Sequence, residues 1–376
     1  MFIESKSYRS SIKKAFEKQS LDAELQPHQQ RVIDKFRNTD SLLLYHGLGS
    51  GKTLSSIAAT EGLKSNIVVP ASLRGNYKKE LEKFKSDQSQ RNIVSYEGAT
   101  NTPLNPAEVL IVDEAHRLGT SSSKRTQAIY DSMARHPKRL LLTGTPIRNK
   151  PQDLSPLIHI LNPSSKIPLA PNEFNNKFID NEVVHHKGFD RVKEFFGFVE
   201  PGVRQVIKNE KILRNAVEGR VDYHSPSTEN MPSVTSEIRT IEMSPHQTQL
   251  YNTVVNNANP IIAAKVRSNM PLSKKELNDI NAFMTAARIV SNTTKPYGGD
   301  SAPTNKVKSL VNDTEKMMSK NPNHKGIIYS NYLEGGLYDV STELKKKKTP
   351  HELFTGELND KERKRIINQF NSGETP

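Results

Sequence analysis

Residues 42–60 read LLLYHGLGSGKTLSSIAAT, an apolar run followed by a glycine-rich turn and a helix-like segment. Glycines occupy every second position of the turn, and a Lys–Thr pair follows the last of them. Backbone N–H groups of such a turn can curl around phosphate oxygens, while the lysine binds the β and γ phosphates and the threonine hydroxyl holds Mg²⁺. The segment therefore predicts a P-loop for ATP and Mg²⁺. Its candidate binding residues are Gly47, Gly49, Ser50, Gly51, Lys52 and Thr53.

The residue before the first glycine departs from the usual pattern. The strict P-loop sequence GxxxxGK[ST] requires glycine where His46 stands. Glycines at the next three alternate positions still allow a backbone turn that wraps phosphate. The alternative is a glycine-rich connection between a strand and a helix that carries Lys–Thr by chance, and the loop by itself leaves it open.

Two adjacent acids follow a second apolar run. Residues 109–116 read VLIVDEAH, so both acids come at the carboxyl end of a predicted strand. Asp113 is placed to hold the Mg²⁺ shell, and Glu114 can orient and deprotonate an attacking water. The alternative is a strand that ends in a solvated acidic turn. Together with the upstream P-loop, the acids favour a nucleotide-hydrolysing site.

A hydroxyl-bearing turn ends a third apolar run, LLLTGTP at 140–146. If the strands are neighbours in one sheet, Thr143, Gly144 and Thr145 can touch the carboxylates and His116. Such contact would give a route from the nucleotide state to movement. Taken alone, the turn could equally be an ordinary strand end.

Five short apolar runs alternate with amphipathic segments in the first part of the chain. The runs are LLLYHG, NIVVP, NIVSY, VLIVDE and RLLLTG. This alternation predicts a doubly wound α/β domain with a parallel sheet, in which ligands bind at the carboxyl ends of the strands. Beyond it, DYHSPSTENMPSVTSE is typical of a linker, and from Asn305 an α/β pattern returns with the predicted strands KGIIYS and HELFTG.

The composition favours a polyanionic partner. The 376 residues include 54 Lys and Arg against 41 Asp and Glu, a net charge of +13. There is no cysteine, which excludes disulfides and thiolate metal sites and is compatible with an intracellular setting. No apolar run approaches the ~20 residues of a membrane helix, so no membrane role is expected.

Together these stretches resemble superfamily 2 helicase-like ATPases, most closely the Swi/Snf-type branch and viral members related to poxvirus nucleoside triphosphate phosphohydrolase I. LQPHQQ at 25–30 resembles the stretch whose glutamine reads adenine, which nominates Gln29. HGLGSGKT resembles motif I, VVPASLRGNYKKEL motif Ia, VDEAH motif II, and TGTPIRNKPQDLSPLIHILNP motif III with its family tail. KGIIYSNYLEGGL and FTGELNDKERKRIINQFNSGE resemble early motifs of a second lobe.

The sequence patterns and the resemblance, which begins at about Leu25, together predict four regions. They are an N-terminal helical extension at 1–24, a first RecA-like ATP-binding lobe at 25–165, a mainly helical insert and linker at 166–300, and a truncated second RecA-like lobe at 301–376. The insert is the region through which we expect a protein partner, if one exists.

The resemblance also implies an ATP-driven motor on nucleic acid, with DNA favoured over RNA. Lys52, Asp113 and Glu114 would be catalytic, and His116 and Thr143 would couple hydrolysis to movement. Contacts to the sugar-phosphate backbone do not specify sequence but allow stepping along a strand. The residues implied for such contacts are Ser72, Arg74, Asn76, Ser330, Asn331, Thr355 and Gly356.

The resemblance is incomplete at the end of the sequence. The family closes its active site with arginines from late motifs of the second lobe, and such an arginine is worth ~10³-fold or more in related NTPases. No residue after Phe370 could supply it. We therefore expect a fragment, or a chain that a partner completes, which binds ATP and hydrolyses it feebly.

Two other functions remain open. The first is a strand-separating helicase or the motor of a restriction system. The second is a non-catalytic nucleic-acid-binding scaffold that only binds ATP. The sequence contains no recognisable strand-separating hairpin, which places the helicase below the translocase.

Overall fold

The structure is a computed structural model, and it divides into two compact units. One comprises residues 1–182 and 205–233, and the other comprises 183–204 and 234–376. The residues whose structure is described are 22–148, 150–184, 202–225, 233–256, 260–267, 274–299, 302–321 and 323–374. Nearly all of the predicted helical extension at 1–24 lies outside them.

A six-stranded parallel sheet forms the centre of the first unit. Its strand order is β3-β2-β4-β5-β1-β8. The strands are β1 (Ser41–His46), β2 (Ser65–Val69), β3 (Arg91–Ser95), β4 (Val109–Asp113), β5 (Lys138–Thr143) and β8 (Val221–His224). The helices along this part of the chain are α1 (Pro27–Arg37), α2 (Lys52–Ala59), α3 (Arg74–Lys83), α4 (Tyr96–Asn101), α5 (Lys124–Met133), α6 (Leu154–Leu161), α7 (Pro171–Phe178) and α8 (Glu210–Val217).

Helices cover both faces of the sheet. Alternate residues of each strand point to opposite faces, so both sets are buried. In β1, Leu42 and Leu44 pack with α1, α2 and α3, whereas Leu43 packs on the other face with α4, α5 and α6. Residues buried on two faces read as a continuous apolar run, which is why five strands could be predicted. The predicted α/β class with a parallel sheet is confirmed.

The remaining elements are mainly helical. β6 (Ile179–Val184) and β7 (Gly202–Ile207) form a two-stranded sheet. The helices of the second unit are α9 (Pro245–Asn256), α10 (Pro260–Arg267), α11 (Lys274–Val290), α12 (Asn305–Lys320), α13 (Tyr338–Lys346) and α14 (Asp360–Ser372). α12 and α13 pack through Val307, Val311, Val340 and Leu344. Within the described ranges, no helix is both long and apolar enough to span a bilayer.

Three local predictions were wrong. The start of the predicted linker, Asp222–His224, is part of strand β8, because its polar side chains find partners on α1 and β1. The predicted strands at 325–330 and 351–356 belong to no strand among the residues described. A strand requires a hydrogen-bonded neighbour. Neither segment has a hydrogen-bonded neighbouring strand among the described residues, and Ile327 and Tyr329 are each 82% exposed.

Candidate functional site

The glycine-rich turn connects β1 to α2 in a tight curve. Gly49 and Gly51 have φ of 76° and 71°, in the left-handed region that glycine adopts without steric cost. Gly51 is the residue just before α2. A Cβ there would also lie 2.6 Å from Gln29 Nε2, so any side chain at this position would displace the glutamine amide. The turn thus needs glycine for its backbone conformation, and a side chain at Gly51 would disturb Gln29.

Lys52 folds back across the turn that precedes it. Its Nζ donates to the carbonyls of His46 at 3.0 Å and Gly47 at 3.1 Å. Ser50 Oγ also donates to the Gly47 carbonyl, at 2.8 Å. The ammonium group therefore lies within the curve of the loop, where a bound phosphate would exchange with these carbonyls.

The paired acids lie at the end of β4. Asp113 is buried, and burial and the neighbouring Glu114 carboxylate raise its pKa to about 6, although the Glu114 N–H and the Lys52 ammonium oppose the rise. The Glu114 N–H donates to Asp113 Oδ1 at 2.9 Å. Glu114 itself has a φ of 50°, which is uncommon for a residue with a side chain. The pair therefore places two carboxyl groups at the end of β4, close enough to Lys52 for its ammonium to act on the pKa of Asp113.

Strand order brings the third predicted turn between the other two. β5 pairs with β1 on one side and β4 on the other, with Thr143 opposite Tyr45 and Leu142 opposite Asp113. A Cβ on Gly144 would lie 3.4 Å from the His46 carbonyl and 3.7 Å from Lys52 Nζ. The three turns therefore meet at the carboxyl end of the sheet.

His116 connects the acid pair to the hydroxyl turn. Its Nδ1 lies 2.9 Å from Thr143 Oγ1 and 3.3 Å from Glu114 Oε2. The Thr145 N–H donates to the same Thr143 hydroxyl at 3.1 Å. Burial lowers the pKa of His116, with the Glu114 carboxylate opposing and nearby arginines adding to the effect. The imidazole thus lies in contact with both Glu114 and the end of β5.

Gln29 lies on α1 and is buried against the loop. Its Oε1 accepts from the Gln26 N–H at 2.9 Å, which caps the start of the helix. The neighbouring His28 donates through Nε2 to the Ser50 carbonyl at 2.8 Å. Two side chains of α1, Gln29 and His28, therefore contact the glycine-rich turn, and the sequence nominated Gln29.

The predicted nucleic-acid contacts lie in both units. Ser72, Arg74 and Asn76 are exposed and follow the carboxyl end of β2, in a short 3₁₀ turn and the start of α3. The four residues in the second unit lie in or beside the segments 325–330 and 351–356. They are Ser330, Asn331, Thr355 and Gly356. Locally, Asn331 Oδ1 accepts from the Tyr329 hydroxyl, and the Gly356 carbonyl accepts from Arg363.

Sequence reasoning missed two supports of the site. The Tyr96 hydroxyl donates to the carbonyls of Asp113 at 2.7 Å and Glu114 at 3.1 Å. Asp222 accepts from His46 at 2.8 Å, although the two are far apart in sequence. The one available signal was His46 itself, an imidazole where the pattern expects glycine.

Comparison with known families now adds to the geometry. The sequence model of the SNF2-related domain matches residues 103–296, more than half of the chain. The chain belongs to the SNF2-related family. SNF2-related proteins are helicase-like ATP hydrolases, so the predicted resemblance and enzyme class are confirmed. A second match, to the res subunit of type III restriction enzymes, covers residues 22–148 and includes the glycine-rich loop.

Relatives of this SNF2-related chain include viral proteins. "Putative ATP-dependent RNA helicase L538" of Acanthamoeba polyphaga mimivirus is 24% identical, over 93% of this chain and 74% of its own length. "Termination factor NPH-I homolog" of African swine fever virus is 25% identical, over 58% of this chain and 33% of its own length. The Sulfolobus solfataricus SWI2/SNF2 ATPase core in complex with dsDNA has a TM-score of 0.42 and 20% identity, covering 93% of this chain and 76% of that one.

Proposed function

We propose that the protein is an ATP-driven motor that moves along duplex DNA. The observation that carries the proposal is the meeting of a glycine-rich lysine loop, an acid pair and a hydroxyl turn at the ends of three adjacent parallel strands. Membership of the SNF2-related family supports it. An ATP site alone would suit many ATPases, but the link from Glu114 through His116 to Thr143 of β5 suits one that converts hydrolysis into movement.

The residues of the proposed ATP site have different roles. Lys52 binds the β and γ phosphates, and Glu114 orients and deprotonates the attacking water. Mg²⁺ is typically held by one or two protein oxygens together with substrate phosphates, and Thr53 and Asp113 fit that requirement. Mg²⁺ supplies charge neutralisation of the phosphates. Gln29, buried against Gly51, reads the adenine base.

Movement begins at His116. Its contacts to Glu114 and Thr143 join the hydrolytic residue to the end of β5. Loss of the γ phosphate changes what Glu114 contacts. The His116–Thr143 pair passes that change to the turn at residues 143–145, here called the TGT turn. Gly144 and Thr145 then carry it into the chain that leaves the sheet.

Backbone contacts provide the grip on nucleic acid. The net charge of +13 favours a polyanion. In the first unit, the exposed residues Ser72, Arg74 and Asn76 suit phosphate contacts. The mimivirus relative carries an RNA helicase name, so RNA is the second candidate track. The choice of duplex DNA rests on the SNF2-related family.

The test combines polynucleotide stimulation with displacement of a third strand. ATP hydrolysis is measured with duplex DNA, single-stranded DNA and duplex RNA, and translocation is followed by release of a triplex-forming strand without separation of the duplex. We expect duplex DNA to stimulate the weak ATP hydrolysis of this chain most, and the third strand to be released slowly. Stimulation only by RNA would replace DNA with RNA as the track, and separation of a plain duplex would replace the translocase with an unwinding helicase.

A further inference from the structure

The edge strand β8 runs beside the phosphate loop. β8 pairs in parallel with β1, and His224 lies opposite His46. Gly47, the first residue after β1, donates its N–H to the His224 carbonyl at 2.9 Å. The loop therefore leaves β1 while its first residue is still bonded to β8.

Asp222 of β8 is the centre of a buried charge network. Its carboxylate is fully buried, and its Oδ1 accepts from His46 Nε2 at 2.8 Å. Arg31 donates to both oxygens, at 2.8 and 2.9 Å, and Lys35 Nζ lies 2.7 Å from Oδ2. A buried carboxylate needs such donors to replace its lost hydration. The network ties α1, β1 and β8 together.

Three imidazole rings, one of which is that of His46 in this network, pack together beside the loop. His28 and His224 stack with centroids 3.8 Å apart and planes 7° from parallel. His46 meets both rings edge-on, at 5.7 and 5.6 Å. His28 Nε2 must donate its 2.8 Å hydrogen bond to Ser50, because a carbonyl oxygen only accepts. The stack thus joins Gly47, through the His224 carbonyl, to Ser50, through His28.

We propose that Asp222, His46 and His28 are positioning residues that hold the two ends of the phosphate loop in its nucleotide-binding shape. The proposal rests on the proposed function of the loop as an ATP site. It accounts for the histidine at a position where the strict P-loop pattern has glycine. A glycine at position 46 would remove the imidazole that bonds Asp222 and supports both stacked rings. Leu48 and Gly49, between the two fixed ends, then adopt the curve that wraps phosphate.

A purely structural role makes a different prediction. If the network only fastens α1 and β8 to the sheet, its loss lowers the free energy of unfolding but leaves nucleotide affinity unchanged. A positioning role raises the Kd for nucleotide even in a folded variant. Because His28 is only half-buried, its replacement disturbs the core less than replacement of Asp222 or His46.

The matched pair of variants is His28→Leu and His28→Gln. Leucine removes the donor, whereas the glutamine amide can place an N–H near the position of Nε2. Titration with a fluorescent ADP analogue should show a Kd about tenfold weaker for His28→Leu, the effect of one lost hydrogen bond, and a near-normal Kd for His28→Gln. In hydrolysis assays, KM should rise for His28→Leu with a smaller change in kcat.

Hydrogen exchange separates this proposal from the proposed function. The Gly47 amide is bonded to β8, so we expect the loop peptide to exchange faster in His28→Leu and in Asp222→Asn without any nucleotide. Unchanged exchange and unchanged Kd in His28→Leu would overturn the positioning role. If the native protein binds no nucleotide but the variants still loosen the loop, the ATP site is wrong and the positioning of the loop stands.

Discussion

At the residue scale, one tyrosine supports the strained turn of the acid pair. Glu114 has a left-handed backbone conformation, which costs a residue with a side chain about 1–2 kcal/mol. The buried Tyr96 hydroxyl donates to the carbonyls on both sides of that strain, Asp113 and Glu114. This bond helps to keep Glu114 directed at the site.

Tyr96→Phe should therefore impair both stability and hydrolysis. The variant leaves two buried carbonyls with one donor fewer, so the free energy of unfolding should fall by about 1–2 kcal/mol. We also expect kcat to fall more than nucleotide affinity, because Glu114 and not the loop is released. Urea unfolding and steady-state ATP hydrolysis measure the two effects. Tyr223→Phe, at a ring that is 60% exposed, is the control, and equal effects in both variants would contradict this role.

Two glycines provide a matched test of the loop. Gly51→Ala forces a Cβ into a left-handed residue and against Gln29, so it should destabilise by about 1–3 kcal/mol and weaken nucleotide binding. Gly75→Ala lies within α3 with open space around it, and should be neutral or stabilising by about 0.5–1 kcal/mol. Thermal unfolding and nucleotide titration distinguish them. A Gly51→Ala protein that binds as tightly as Gly75→Ala would show that the loop tolerates another shape.

At the element scale, the attachment of β8 should depend on pH through Asp222. Burial alone would raise its pKa, but the donors His46, Arg31 and Lys35 lower it far below the usual range. A carboxylate with a lowered pKa in the folded state stabilises the protein above its unfolded value of about 4 and loses that contribution as pH falls below it.

Unfolding of the native protein and of Asp222→Asn should therefore be compared across pH. Breaking a buried ion pair typically costs about 3–5 kcal/mol. We expect a constant difference in free energy of unfolding between pH 5 and 8, and a shrinking difference below pH 4. A difference that does not change down to pH 3 would mean that Asp222 is not the linked group.

Sequence patterns predicted elements well where burial is two-sided. β1 to β5 carry continuous apolar runs and were predicted. β8 reads VDYH, and its buried aspartate is acceptable only because α1 and β1 supply donors that local sequence does not reveal. KGIIYS shows the opposite error, because apolar residues predict a strand only where a neighbouring strand is present.

The residues of the site differ in the same way, because some are marked by local sequence and others only by tertiary contacts. The loop, the acid pair and the TGT turn are contiguous in sequence and bring recognisable chemistry. Tyr96 and Asp222 act through tertiary contacts to main-chain or distant groups, so no local spacing marks them. The roles of the catalytic, coupling and nucleic-acid residues stay predictions until they are measured.

At the scale of the whole molecule, the proposed motor requires the loop, the acid pair and the hydroxyl turn to form one ATP site. The ends of β1, β4 and β5 are adjacent in the first unit, and Lys52 affects the pKa of Asp113. If these groups serve a single Mg–ATP, loss of the lysine removes binding, and loss of the Glu114 carboxylate removes hydrolysis while binding persists.

The most direct measurement is ATP binding and hydrolysis by the native protein, Lys52→Ala and Glu114→Gln in the presence of Mg²⁺ and duplex DNA. Lys64→Ala is the control, since this exposed lysine precedes β2 at the amino end of the sheet, whereas the site lies at the carboxyl end. We expect Lys52→Ala to bind at least about tenfold more weakly, Glu114→Gln to bind normally with hydrolysis reduced at least about a hundredfold, and Lys64→Ala to behave as the native protein. Native-like binding and hydrolysis by Lys52→Ala would contradict the account.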